Sequence, residues 1–428
     1  MVLAPKGNAG HFVLPEFDPA VVSNEPSGER SRRVWHVLQL SDVLDLELAT
    51  ALAERRDVVL WQPKRRLLPI PLHSRAPDRS VAGSHLRIRQ FPLLRGFARL
   101  PPAAISWVSR WLAAELARGC DAEHSVLVCT IPHFAAVAEA WPGPVVYWLT
   151  DRIAAYANAD AERIAGWDKR MCSAADLVCP SSVRIAEYLQ EQGCDPAKIE
   201  VLPNATRACN LLPAPLKAPA RLPEDIAHLP RPIAGVIGNL AGNMDWELIE
   251  AAIEQSKPFT WLFVGSNNMH IADAPARAAR QRVMQHPRTC FTGPRLYGDL
   301  MHYARAVDVA VLPYRRCEPT FSGSSTRFYE HLAATRPMLA TPGVHELLGK
   351  APLVKLVTTP QQMAEAMQAL QAGGFDDGCG GLRWQGSQLA TWSRRAAQMS
   401  AALAMRAPDA VLNREALAPE QEPAGTPV

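Results

Sequence analysis

The chain has 428 residues, of which 48% are hydrophobic and 20% charged, enough to bury a large core and to form two domains. A net charge of +3 and a pI near 8.4 are too mild for a nucleic-acid-binding surface, so no nucleic-acid partner is expected. No apolar run reaches the length of a membrane span and no charged-then-apolar leader opens the sequence, which predicts a cytoplasmic protein, and the nine scattered cysteines never fall in C-x-x-C spacing and read as reduced, small apolar residues with neither a zinc site nor a disulfide frame.

In chain order, residues 1–33 mix proline, glycine and charge without periodicity and are expected to form a disordered arm. An apolar run at 34–40 predicts a buried strand, followed by a helix over 42–55 and a strand at 58–61. Residues 63–89 are basic and punctuated by proline, which predicts a long surface loop. A helix over 103–118, strands at 126–129 and 145–149, a helix over 160–174, a strand at 176–179 and a helix over 183–192 complete a first domain spanning 34–210. Prolines then cluster through 211–232 and mark a linker.

The alternation resumes over 233–386, with strands at 233–238, 261–265, 290–293, 309–312, 338–340 and 354–357. Helices over 245–255, 274–285, 297–306, 326–335 and 361–371 lie between them. A last helix is predicted over 387–406, and the polar, proline-rich 407–428 is expected to be a disordered tail. Continuous apolar strands alternating with helices are the pattern of parallel sheets covered on both faces. The fold class is therefore α/β, with two doubly wound, Rossmann-like domains facing across a cleft, where ligands bind beyond the carboxyl ends of the strands.

The most informative stretch is 317–342. Behind the strand at 309–312, Ser322, Gly323, Ser324 and Ser325 form a small-residue loop that leads at Thr326 and Arg327 into a helix. A helix N-terminus presents unpaired N–H groups and the positive end of the macrodipole, so this order suits a phosphate or diphosphate, although an ordinary capped helix has the same sequence signs. Gly235, Gly238 and Gly242 give a dinucleotide-like spacing that lacks its third glycine and following acid, which is a weak signal for NAD. His133 and Asp151 each follow a strand end of the first domain. His133 is a candidate contact to a transferred group or a structural histidine, and Asp151 a candidate for orienting an acceptor or moving its proton, or a helix cap.

The runs Ala175-Asp176-Leu177-Val178-Cys179-Pro180-Ser181-Ser182, Val201-Leu202-Pro203-Asn204, Phe291-Thr292-Gly293, Asp308-Val309-Ala310-Val311-Leu312-Pro313-Tyr314 and Tyr329-Glu330-His331-Leu332-Ala333-Ala334-Thr335-Arg336-Pro337 together resemble successive blocks of GT-B glycosyltransferases, most like glycosyltransferase family 4. The resemblance covers about 131–395 and is carried by the order and spacing of the blocks rather than by any one of them. It implies an acceptor in the N-terminal half, a nucleotide-activated sugar of UDP or GDP type in the C-terminal half, and a final helix that crosses back, for which Thr391-Trp392-Ser393-Arg394-Arg395 is the matching element.

Glu330 matches the second glutamate of the family's pair spaced eight apart, the one that takes the donor's ribose hydroxyls; the alternative is a helix-surface acid. The first of the pair is replaced by Ser322, and Glu318 nearby has the wrong spacing. The loop at Gly238 and Asn239 lacks the arginine and lysine that many members place there, leaving Arg295, Arg327 and the amides of residues 323–326 as candidates to compensate a diphosphate, with solvated roles open for both arginines. Family membership implies retention at the anomeric carbon, no obligatory metal or other cofactor, and a lipid-linked or surface-glycan acceptor. Residues 64–66 and 87–99, with Phe91, Leu93, Leu94 and Phe97, are a candidate contact to an anionic membrane. A sugar-nucleotide epimerase and a catalytically silent partner subunit are the other classes this pattern admits, and nothing in it sets the oligomeric state.

Overall fold

The computed structural model describes residues 34–39, 43–66, 79–80, 84–94, 96–118, 120–156, 159–267 and 271–407. The arm expected at 1–33 and the tail expected beyond 407 lie outside the described residues.

The first sheet contains β1 (Trp35–Leu38), β2 (Val58–Arg66), β3 (Arg79–Ser80), β4 (Leu86–Leu94), β5 (Val126–Cys129), β6 (Val145–Leu149) and β7 (Leu177–Pro180), in the order β3-β4-β2-β1-β5-β6-β7. All pairs are parallel except β3 with β4. Its helices are α1 (Leu44–Leu52), α2 (Pro102–Ala117), α3 (Ala135–Ala140), α4 (Ala161–Ala174) and α5 (Val183–Glu191). Strand β6 shows why these strands are apolar throughout: Val145, Tyr147 and Leu149 enter the core on one face, and Val146 and Trp148 the core on the other.

The second sheet contains β8 (Ile233–Ile237), β9 (Thr260–Val264), β10 (Thr289–Phe291), β11 (Val309–Leu312), β12 (Met338–Ala340) and β13 (Lys355–Leu356), all parallel, in the order β10-β9-β8-β11-β12-β13. Helices α6 (Trp246–Gln255), α7 (Ala274–Gln285), α8 (Leu300–Ala306), α9 (Thr326–Ala334), α10 (Pro360–Ala372) and α11 (Gly380–Leu389) accompany it. The strand order reverses between β8 and β11, the switch point outside whose carboxyl ends ligands bind in open α/β sheets, and the segments after these two strands are joined by an antiparallel bridge between Met244 and Tyr314. The proline-rich 211–232 segment carries one 3-10 turn, Glu224–Ile226, and buries Ile226 against Ile233 and Ile237.

The last helix, α12 (Trp392–Arg406), crosses back to the first sheet. Trp392, Ala396, Met399 and Leu403 join the core that holds Val37, Leu48 and Trp148, with the Trp148 and Trp392 rings edge to face at 6.1 Å. Thr206 fixes the crossing point: its N–H donates to the Ala390 carbonyl at 2.9 Å, and its own carbonyl accepts from the Trp392 N–H at 3.0 Å.

Three expectations change. Within the surface loop expected over 63–89, residues 63–66, 79–80 and 86–89 are strand, while 67–78 and 81–83 lie outside the described residues: β2 runs through Pro63 to Arg66, and β4 pairs with it residue for residue. The β1 partner ends at Leu38 opposite Trp61, so beyond that point β2 is bonded on one side and tolerates proline, whose sequence signal had suggested a loop. Phe91, Leu93 and Phe97 are buried in the core beside Phe134, so they do not face a membrane. The single helix expected over 387–406 is two: α11 begins at the poor helix formers Gly380 and Gly381, and Thr391 restarts α12 by accepting the Arg394 N–H at 3.3 Å.

No helix among the described residues is long and apolar enough to cross a membrane, and all nine cysteines are unpaired.

Candidate active site

The loop after β8 is shaped by contact between Gly238 and Arg327. Gly238 takes a φ of 118°, and a Cβ on it would stand 2.9 Å from Nε of Arg327. Arg327, in the first turn of α9, donates from Nε to the Ile237 carbonyl at 2.8 Å and from Nη2 to the Asn239 carbonyl, and its guanidinium lies 5.2 Å from the Tyr314 ring centre. In this arrangement Arg327 fixes the β8 loop, and Asn239 contributes its carbonyl to that clamp. Arg295 forms an ion pair with Asp225 at 2.7 Å and also donates to the Tyr303 hydroxyl and to the Thr292 and Pro294 carbonyls. The two cations expected to compensate a diphosphate are both engaged within the protein.

The loop after β11 is built by successive turns. Phe321 N–H donates to the Cys317 carbonyl at 2.9 Å, and the Ser322 and Gly323 N–H groups donate to Pro319 and Thr320. Ser325 caps α9 by accepting the Phe328 N–H at 3.2 Å. Glu346 holds the junction from behind, accepting from the Ser325 N–H at 3.0 Å, the Ser324 hydroxyl at 2.9 Å and the Tyr329 hydroxyl. A carboxylate on a helix N-terminus is favoured by the dipole, so Glu346 orders this loop.

The first unit reaches across to the same loop. Ser182, which caps α5, donates its hydroxyl to the Ser322 carbonyl. Asn204 donates its backbone N–H to the Ser324 hydroxyl at 3.1 Å, and its side-chain amide to the Ser324 carbonyl and the Thr326 hydroxyl, both at 2.9 Å. Asp151, just past the end of β6, lies opposite: its Oδ1 is 3.5 Å from where a Cβ on Gly323 would stand, and its Oδ2 accepts from the Tyr156 hydroxyl at 3.2 Å. Burial raises the Asp151 pKa, and the Tyr156 hydrogen bond opposes that shift. The structure thus brings Asp151 and residues 322–326 together at the cleft.

Glu330 lies one turn into α9, where it meets Thr206 and Asn210 of the segment after β7. Its carboxylate accepts from the Tyr297 hydroxyl at 2.7 Å, the Asn210 amide at 2.9 Å and the Thr206 hydroxyl at 3.3 Å. It is half-buried rather than a helix-surface acid, and desolvation raises its pKa to about 7 against the opposing effect of Tyr297 and Thr206. Arg207 extends the network to the first unit, 3.4 Å from Glu47 of α1 and 5.9 Å from the Tyr297 ring centre.

His133 is placed differently. Its ring is buried against Trp167 with centres 4.7 Å apart, Nδ1 has no hydrogen-bond partner, and burial lowers its pKa to about 3, so the imidazole is neutral. No hydrogen bond among the described residues joins it to the 322–326 loop.

The sequence reading did not single out Ser182, Thr206, Asn210, Tyr297 or Glu346. Thr206 and Asn210 fall in a stretch with no helical or strand period, where only their polarity beside the Val201-Leu202-Pro203-Asn204 run set them apart.

Residues 46–205 match the model of the glycosyl transferase 4-like domain, and residues 231–372 match that of glycosyl transferases group 1. The chain is a GT-B glycosyltransferase of the family 4 type. Solved structures support the fold of this glycosyltransferase: sucrose-phosphate synthase from Thermosynechococcus elongatus aligns with a TM-score of 0.66 at 18% identity, over 86% of this chain and 98% of that one. The Anabaena protein HepE in complex with UDP-glucose aligns at 0.62 and 15% identity, over 87% and 99%. An α,α-trehalose-phosphate synthase (UDP-forming) from Burkholderia xenovorans in complex with glucose-6-phosphate aligns at 0.62 and 12%, also over 87% and 99%. In sequence, the glycosyltransferase is 25% identical over 109 residues to the putative teichuronic acid biosynthesis glycosyltransferase TuaH of Bacillus subtilis (strain 168), a match spanning 26% of each protein.

Proposed function

We propose that this glycosyltransferase moves a sugar, with retention at the anomeric carbon, from a nucleoside diphosphate donor of UDP or GDP type to a hydroxyl acceptor in a surface polysaccharide or glycolipid. The observation that carries this reading is the half-buried Glu330 carboxylate, set one turn behind the small-residue loop that follows β11. A carboxylate offers about four lone-pair directions, and ribose hydroxyls are donors that can take the unused one and exchange with Asn210 and Thr206 for the others. The diphosphate then lies over residues 322–326 at the α9 N-terminus, where the macrodipole favours the charge that develops on the leaving group, together with the loop N–H groups other than those of Ser322, Gly323 and Ser325, which Pro319, Thr320 and Glu346 already take.

Asp151, facing that loop from the first unit, is proposed to orient the acceptor hydroxyl. His133, a neutral ring without a partner on Nδ1, is proposed to contact the transferred sugar. The HepE–UDP-glucose complex supports a UDP donor, and the likeness to TuaH supports a surface polymer. The test is to incubate the protein with UDP- and GDP-sugars, with and without lipid-linked acceptors, and follow nucleoside diphosphate release and the anomeric configuration of the product. Acceptor-dependent release with retention is expected; an altered nucleotide sugar formed without acceptor would instead mark an epimerase.

We further propose peripheral contact with an anionic membrane. Trp107, 61% exposed on α2, stands on the first unit with exposed Arg99, Arg110 and Lys64. Co-sedimentation with anionic vesicles at low salt is expected to fall severalfold in Trp107→Ala, and equal binding to neutral vesicles would contradict it.

A further inference from the structure

A cavity of about 410 Å³ lies between the linker and α8, with Arg221, Pro223, Asp299, His302, Tyr303 and Arg305 in its lining. Hydrogen bonds hold both of its walls. The Ala220 N–H donates to the Arg305 carbonyl at 2.8 Å, and the Arg231 guanidinium donates to the carbonyls of Ala220 at 3.2 Å and Ala306 at 2.8 Å. Tyr303 is buried and donates its hydroxyl to Asp225 at 2.8 Å, and Arg295 holds Asp225 in turn. Asp299, His302 and Arg305 follow one another at three-residue spacing, which sets them along one face of α8 and the turn before it.

The cations of this cavity are largely unspent. A guanidinium has five N–H donors. That of Arg305 gives Nη2 to the Asn210 carbonyl at 2.8 Å, while Nε is buried without an acceptor and Nη1 makes no hydrogen bond among the described residues. Burial lowers the Arg305 pKa, and no carboxylate among the described residues forms an ion pair with it. A desolvated cation without a counter-charge is costly, and a bound anion offsets that cost. Arg221 and His302 are exposed at the same cavity, and their side chains make no hydrogen bond or ion pair among the described residues. Two guanidinium groups with free donors suit phosphate oxygens, and His302 adds a ring N–H. The Asp299 carboxylate in the same lining repels a second anionic group but accepts from hydroxyls, so the occupant it favours carries one phosphate with hydroxyls beside it.

We propose that the cavity between the linker and α8 binds a phosphate monoester of a sugar, with the phosphate on Arg221 and Arg305 and a hydroxyl on Asp299. The site stands apart from the 322–326 loop. Arg305 connects it to Glu330, because the Asn210 whose carbonyl it holds donates its amide to that carboxylate at 2.9 Å.

The test is titration calorimetry of the full chain with ribose 5-phosphate and with inorganic phosphate, each repeated with excess UDP and GDP. Wild type is compared with Arg221→Gln, Arg305→Lys and Asp299→Ala. Arg221 and Asp299 are exposed, so their replacement leaves the fold in place, and Arg305→Lys keeps a cation within reach of Asn210; unfolding curves verify this. The expected result is one-to-one binding of ribose 5-phosphate by the wild type, weakened roughly tenfold in Arg221→Gln and in Arg305→Lys by the loss of charge-assisted hydrogen bonds to phosphate. Wild type prefers ribose 5-phosphate to inorganic phosphate, Asp299→Ala narrows that preference, and neither nucleotide competes for the site. Absence of binding, equal affinity in wild type and both arginine variants, or competitive displacement by UDP or GDP, which assigns the anion to the donor site, overturns the inference. Equal affinity of the wild type for the two anions overturns the assignment of a sugar monoester.

Discussion

Glu330→Ala is expected to abolish detectable diphosphate binding and to lower sugar transfer by a factor of roughly 100 or more. In the role proposed for Glu330, the variant removes the acceptor for two ribose hydroxyls, and hydrogen bonds to a charged group contribute about 1.5–3 kcal/mol each. It also strands Tyr297, Asn210 and Thr206, three donors aimed at one vacated carboxylate. The pH dependence has a definite sign. The folded pKa of Glu330 is raised from 4.5 to about 7, so its ionised form costs stability as pH rises from the unfolded value through the folded one, and that cost is complete above about 7. Nucleotide binding needs the ionised acceptor, so affinity is expected to fall as pH drops below 7, approaching tenfold per unit. Calorimetric titrations at pH 6 and 8 check this. A flat wild-type profile would mean that Glu330 does not take the ribose.

Gly265→Ala is expected to have the largest effect on folding. Gly265 follows β9 with a φ of 139°, and its N–H donates to the Gly293 carbonyl at 3.0 Å, while the Gly238 N–H donates to the Val264 carbonyl at 2.8 Å. A Cβ on Gly265 would overlap the Gly238 carbonyl, which is backbone and cannot swing aside. Strain in φ and displacement of the β8 loop together should cost about 3 kcal/mol or more, and each kcal/mol lowers the midpoint of a domain of this size by roughly 2–4 °C. Gly242→Ala is the control, because its Cβ would meet only Ile271 at 4.0 Å. Thermal unfolding of the two variants side by side should show a fall of roughly 6–12 °C for Gly265→Ala and little change for Gly242→Ala.

How much of this was readable in the sequence differs by element. Strands buried on both faces, such as Val126–Cys129 and Val309–Leu312, were placed to the residue because a continuous apolar run bounded by turn signals has one natural reading. β2 was cut short at 61 because proline and basic residues hide a strand whose outer part is bonded on one side. The loop at 322–325 and Glu330 stood out because their order is local. Their partners were hidden because Asn204, Thr206 and Asn210 lie some 120 residues earlier and meet them only after two sheets have formed and α12 has crossed back. Arg327 shows a related limit: sequence gives a cation at a helix start, whereas the Ile237 and Asn239 carbonyls that engage it appear only in the fold.

Titration calorimetry of the wild-type chain with UDP, GDP, ADP and dTDP, repeated with Glu330→Ala, tests the central claim most directly. The account predicts one-to-one binding of UDP or GDP by the wild type and loss of that binding in the variant. Absence of binding by every nucleotide, or equal binding by wild type and variant, would contradict it.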